Sequence, residues 1–227
     1  MSAEELFSGH DVGATPSYKE QAYRLIKDAI LFNRFRVGAI YSQENICKEL
    51  GISRTPVREA LLELQKDGYV SFSRGKGVQV VPVSDSDAHD ILEARMYVER
   101  INARLAGSRA APEDLDAMRK SLDQLQAQLD TRDGQHLYRL DHIFHRGVAA
   151  AAHNHLLYRQ CEILLDHYLR FEVKSVYNKS IDAQVVFNEH VAIYDAIAAK
   201  SPERAEQAMA RHLTNSYRRT VSRYWPE

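Results

Sequence analysis

From Tyr18 onward apolar residues return every third or fourth position, at Ala22, Ile26, Ala29 and Ile30, which predicts an amphipathic helix; Gly38 breaks the chain after it. A second short helix is expected in SQENICKELG, where Ser42 is placed to cap the start and Ile46 and Leu50 turn inward. Gly51 supplies a turn and the Ser53 hydroxyl is placed to cap a third helix, expected from Arg54 to Asp67. Pro56 falls in its first turn, and Ala60, Leu61 and Leu64 form its buried side. The period then shortens. Two β-rich runs, 69–73 and 77–81, flank Arg74-Gly75-Lys76-Gly77, which predicts a hairpin with a basic, glycine-rich tip.

Past Pro82 the strand signal vanishes. Six helices are expected: Asp85–Ser108, Pro112–Thr131, Gln135–Ala152, His155–Tyr177, Asp182–Lys200 and Pro202–Tyr224. Ala110-Ala111-Pro112, Asp133-Gly134, Asn154, Asn178-Lys179-Ser180 and Ser201-Pro202 separate them. The fold class is therefore mainly α, a small helical domain with a hairpin at 17–82 followed by an all-α bundle at 83–227. The small, polar residues 1–16 read as a loose tail without the basic-then-apolar layout of a secretion signal.

Composition changes this picture little. Of 227 residues, 44% are hydrophobic and 27% charged, and no apolar run approaches the roughly 20 residues a membrane helix needs. Cys47 and Cys161 are far apart among apolar neighbours, so both read as packing residues, in keeping with a reducing cytoplasm. Charge is more informative. The net value of −1 divides into +4 over residues 18–82, −2 over 83–227 and −3 in the tail, so only the first domain is suited to a polyanion.

The decapeptide ISRTPVREAL opens the third helix with two arginines, a poor choice for a core-facing start and a good one for meeting an anion. Two helices joined by a glycine turn, the second cationic at its N-terminus, match a helix-turn-helix. Backbone N–H groups there attract phosphate, and arginine forks read guanine edges in a major groove. Arg54 and Arg58 are four apart and project from one face beside Thr55. Taken singly, a Ser-Arg start is usually only a cap and Gly-Lys-Gly usually only a turn; their order and spacing carry the nucleic-acid reading.

The stretch ELGISRTPVREALLELQKDGYVSFSRGKGVQVV closely resembles the winged-helix domain of the GntR family of bacterial transcription regulators. That resemblance implies a homodimer on a palindromic, double-stranded operator, with Ser53, Arg54, Thr55, Arg58, Lys76 and Gly77 contacting DNA. One position departs: Gln43-Glu44-Asn45 stands where family members often carry an arginine, leaving Arg34 or Arg36 to replace that phosphate contact.

In the bundle the histidines matter. Leu137, Leu140, Phe144 and Val148 define a stripe with Asp141 and His145 at its edge. Phe187, Val191, Tyr194 and Ile197 set a second buried face that includes His190, and Ala205, Ala208, Met209 and Leu213 a third that includes His212. Two arrangements satisfy such inward groups. Either each imidazole bonds its own neighbour, or one divalent metal satisfies all four, zinc first, with nickel, manganese and iron as alternatives. His142, His153 and His155 fall outside the stripes and read as surface or capping residues.

Residues 85–224 resemble the FCD domain attached to many GntR regulators, in its smaller six-helix, VanR-like branch. The marks are Arg95 and Glu99, Asp141 and His145, Asn154, Glu189-His190 and His212. The resemblance implies that Asp141, His145, His190 and His212 hold a metal and that Arg95 anchors a small carboxylate metabolite; the bland alternative for Arg95 is a salt bridge with Glu99. The expected protein is a cytoplasmic, ligand-responsive regulator, a repressor in sense, and not an enzyme. The rivals are a metal sensor with no organic ligand and a metal-dependent hydrolase fused to a DNA-binding domain. The hydrolase lacks an identifiable general base, since Glu189 points roughly 100° away from His190 on a helix.

Overall fold

The computed structural model of the chain describes residues 16–131, 133–172 and 183–220. The expected tail, the break at 178–180 and the predicted helix termini at Tyr177, Asp182 and Tyr224 lie outside them. The chain forms two compact units that part at Val81 and Pro82, with Leu31–Arg34 clustering with the second.

The first unit is built from α1 (Tyr18–Leu31), β1 (Ile40–Tyr41), α2 (Gln43–Leu50), α3 (Arg54–Lys66), β2 (Val70–Ser73) and β3 (Gly77–Val80). Ser42 Oγ accepts the Asn45 N–H at 3.1 Å to start α2, and Gly51 ends it in the left-handed region at φ 65°. Val57, Ala60, Leu61 and Leu64 of α3 are fully buried, and Tyr23 of α1 donates to Asp67 at 2.6 Å. The hairpin gains a third strand that the sequence pattern does not flag. The antiparallel order is β1-β3-β2, with Tyr41 opposite Val78 and Phe72 opposite Val78 on the other side. This sheet explains Gly77. Its φ is 123°, and a Cβ there would lie 2.2 Å from the Tyr41 carbonyl oxygen, so glycine is demanded by β1 packing as well as by any approach to a groove.

The second unit is all helical in its described residues: α4 (Asp85–Arg109), α5 (Pro112–Gln126), α6 (Gly134–Ala151), α7 (His155–Glu172), α8 (Ala183–Ala198) and α9 (Pro202–Thr220). A reciprocal box starts α4, with the Ser84 hydroxyl accepting the Asp87 N–H and the Asp87 carboxylate accepting the Ser84 N–H. Asn154 accepts the N–H groups of Leu156 and Leu157 at the start of α7. The expected helix to Thr131 stops at Gln126. Helix α4 packs against α6, α7, α8 and α9, so its buried face touches four of the other helices. That face reads Ala88, Leu92, Arg95, Glu99, Asn102, Ala103 and Ala106, and its middle is polar. Among the described residues, no helix is long and apolar enough to cross a membrane.

Candidate metal centre and nucleic-acid face

Four side chains from three helices converge. Asp141 and His145 lie one turn apart on α6, His190 comes from α8 and His212 from α9, and one ligand atom of each lies within 4.8 Å of the others. His145 Nε2 and His212 Nε2 are 3.2 Å apart, and His190 Nε2 is 3.3 Å from His212 Nε2. Asp141 reaches His190 Nε2 at 3.2 Å and His145 Nε2 at 3.8 Å. The three imidazoles are buried, and Phe144 stacks on His190 with ring centroids 4.5 Å apart.

Two carboxylates orient two of these rings from behind. His145 Nδ1 contacts Glu99, and His212 Nδ1 lies 2.9 Å from Glu189. Burial opposes charge on Glu99, yet the Arg95 guanidinium and His145 outweigh it and hold the carboxyl down at about 2. Burial likewise opposes charge on Glu189, and hydrogen bonds from His212, Arg219 and Asn215 bring it to about 2. Both carboxylates are therefore ionised, so each draws the Nδ1–H of its imidazole and leaves Nε2 turned toward the cluster. Burial, with His190 nearby, pushes His212 down to about 4, which disfavours a second proton on that ring. Two nitrogens on one tetrahedral ion, each 2.0–2.1 Å from it, stand about 3.3 Å apart, which matches the observed separations.

The remainder of the site lies along α4. Arg95 is 2% exposed, ion-paired through Nε with Glu99, and its guanidinium carbon sits 4.2 Å from the centre of the Tyr168 ring. Among the described residues its Nη1 has no hydrogen-bond partner. The salt bridge and the anchor are thus not exclusive, since Glu99 occupies one edge of the fork only. A continuous chain results: Arg95, Glu99, His145, then the cluster, then His212, Glu189 and the bidentate Arg219, whose nitrogens donate to Glu189 at 3.0 and 2.8 Å.

Three expectations about burial need correction. His142 is not a surface residue: it is 1% exposed, because α6 buries a second stripe through Tyr138 and Ala149 besides the one read from Leu137, Leu140, Phe144 and Val148. The buried face of α8 runs through Ile193 and Ala196 rather than Val191 and Tyr194, which are half-buried. Cys161 packs beside Ala149 and Leu165, but Cys47 is only half-buried. Two roles were missed. Glu189 points away from His190 yet reaches His212 on the next helix, and Arg219, thirty residues on, completes its bonds. Such long-range partners leave no trace in local spacing. His153 pairs with Asp114 at 2.7 Å.

In the first unit Ser53, Arg54, Thr55 and Arg58 are exposed on the opening turns of α3, and Lys76 is exposed at the wing tip beside Gly77. Ser53 takes the N-cap backbone geometry but makes no side-chain cap bond, contrary to expectation, so its hydroxyl keeps its bonding capacity. The Gln43 amide donates to the Arg54 carbonyl at 3.2 Å, and Glu44 lies 3.8 Å from the Arg54 guanidinium.

Comparison with known proteins bears on both units. The FCD domain family matches residues 90–215, and the family of bacterial regulatory proteins called gntR matches residues 18–80. The chain belongs to the GntR family, FCD type. The HTH-type transcriptional regulator YdhC of Bacillus subtilis is 27% identical over 88% of this chain and 89% of its own length. LutR of the same organism is 28% identical over 77% and 87%, and the Glc operon transcriptional activator of Escherichia coli 26% over 86% and 84%. Among solved structures, McbR/YncC of E. coli shares the fold with a TM-score of 0.78 at 22% identity, covering 90% of this chain and 97% of that one. This GntR-family chain is thus a DNA-binding transcriptional regulator rather than an enzyme, mainly α, with a winged helix-turn-helix ahead of a helical FCD domain.

Proposed function

We propose that the FCD domain holds a divalent metal, zinc first, through Asp141, His145, His190 and His212, and beside it a small organic acid through Arg95. The observation that carries the reading is the pair of inward Nε2 atoms 3.2 Å apart, each ring oriented by an ionised carboxylate behind it. When bound, the ion supplies a Lewis-acid position for a carboxylate oxygen. Arg95 Nη1 supplies the charge-assisted donor for the other end of that carboxylate, while Glu99 holds the guanidinium against Tyr168. Ser53, Arg54, Thr55, Arg58, Lys76 and Gly77 form the DNA-contacting set in a cytoplasmic homodimer on a palindromic operator. Occupancy of the effector site favours one dimer geometry over another, otherwise it has no leverage on DNA affinity; release of a repressor is the expected sense.

The test is metal content after purification for the parent and for a His145→Ala/His212→Ala double variant, followed by a thermal-shift screen of small carboxylates on the zinc-loaded parent. The reading expects metal in the parent alone and a stabilising carboxylate. Equal metal in both proteins refutes the ligand set. A metal sensor without organic ligand is favoured by one observation, the engagement of Arg95 by Glu99, and it predicts that zinc alone shifts operator affinity while no carboxylate does.

A further inference from the structure

His142 is neither a metal ligand nor a surface residue. It follows Asp141 on α6 and is 1% exposed, and among the described residues neither ring nitrogen has a hydrogen-bond partner. Its surroundings are aromatic: the Tyr138 ring meets it edge-on at 4.9 Å between centroids, and Tyr168 lies at 6.5 Å. Tyr168 is also the ring on which the Arg95 guanidinium rests. One tyrosine thus lies beside both the imidazole and the guanidinium, and both bear buried polar atoms without partners.

An imidazole carries two ring nitrogens that seek hydrogen-bond partners, and leaving them buried and unpaired is costly. A phenylalanine would fill this aromatic setting without that cost, so packing does not account for histidine here. Among these rings the imidazole is matched to an uncharged oxygen rather than to a second carboxylate, whose charge the apolar faces would leave uncompensated.

We propose that His142 is a specificity subsite of the effector site, one that hydrogen-bonds a hydroxyl or carbonyl oxygen carried by the same small acid whose carboxylate Arg95 takes. This rests on the organic-acid reading above. Because the unpartnered atoms are shielded from solvent, binding requires neighbouring rings to part.

The probes are propionate, 2-hydroxypropionate and 3-hydroxypropionate, titrated by calorimetry into the zinc-loaded full chain. The parent should bind at least one hydroxy acid roughly tenfold more tightly than propionate. His142→Phe should abolish that preference while leaving propionate within twofold of the parent. Should H142F fail to fold, His142→Gln keeps a polar end and must change the hydroxy-acid preference at least fivefold. If the parent binds the acids but shows no preference, or the variants keep it, the subsite is refuted while the organic-acid reading stands. If no acid binds the parent, the organic-acid reading fails and the subsite falls with it.

Discussion

Glu99 is the residue on which the second unit's polar core turns, and Glu99→Gln tests that arrangement. The carboxylate is 1% exposed, pairs with Arg95 one turn earlier on α4 and accepts from His145 Nδ1 on α6. Removing its charge leaves a fully buried guanidinium uncompensated, and breaking a buried pair by deleting one partner costs about 3–5 kcal/mol. The glutamine oxygen still accepts one bond, and the Tyr168 face at 4.2 Å retains up to about 2 kcal/mol of cation–π attraction. A net loss of about 2–4 kcal/mol is expected. In a unit of this size that lowers the melting temperature of the metal-free protein by on the order of 10 °C.

The same change should weaken zinc by about 10–100-fold, because His145 loses the anion that fixes its tautomer and raises its basicity. Thermal unfolding after chelator treatment reads the first effect, and competition with a chromophoric chelator reads the second. A paired variant, Arg95→Met with Glu99→Leu, separates them. It removes both charges, so stability should return to near that of the parent, while zinc affinity should stay low. If Glu99→Gln melts within about 2 °C of the parent and binds zinc equally well, the reasoning about this chain of charges is wrong.

Gly77→Ala places a Cβ 2.2 Å from the Tyr41 carbonyl at φ 123°, so it should destabilise the first unit by on the order of 3 kcal/mol; unchanged melting refutes the packing argument. Arg58→Ala should cost about 1–3 kcal/mol of operator binding by fluorescence anisotropy, and unchanged affinity removes it from the contact set. In the metal-free protein His142, His190 and His212 all sit below the usual imidazole value of 6.5, with burial the first cause for each. The unfolded chain therefore takes up protons first, and stability should fall as pH drops from 6.5 toward 4, well before Glu99 and Glu189 lose their charge near 2. A melting temperature that is flat between pH 7 and 5 contradicts that sign.

Where local periodicity decides burial, the sequence was legible. Ala22, Ile26, Leu61 and Leu64 follow from helical spacing alone, and the inward directions of His145, His190 and His212 follow from the stripes they share. β1 escaped because two residues hold too little alternation to register, and its presence is felt only through Gly77, whose reason is a carbonyl 36 residues earlier. Helix α6 was misread for a different reason. A single stripe is the signature of a helix with one buried face, whereas α6 packs against α4, α5 and α7 and buries His142 on the side left over.

The partners of the histidines lie beyond any local rule. Glu99 was visible as an i, i+4 mate of Arg95, and that spacing suggested a pair of little worth if exposed. Burial reverses its meaning. A carboxylate shut inside with both a guanidinium and an imidazole must be ionised, and an ionised carboxylate dictates which imidazole nitrogen keeps its proton. With Nδ1 engaged, the nitrogen that faces the other rings is free to act as an acceptor, and two such nitrogens 3.2 Å apart are suited to share one cation. Glu99 and Glu189, behind the candidate ligands, are therefore what favours a metal here. Aspartate and three histidines on neighbouring helices, without Glu99 and Glu189, are equally consistent with imidazoles bonded to one another.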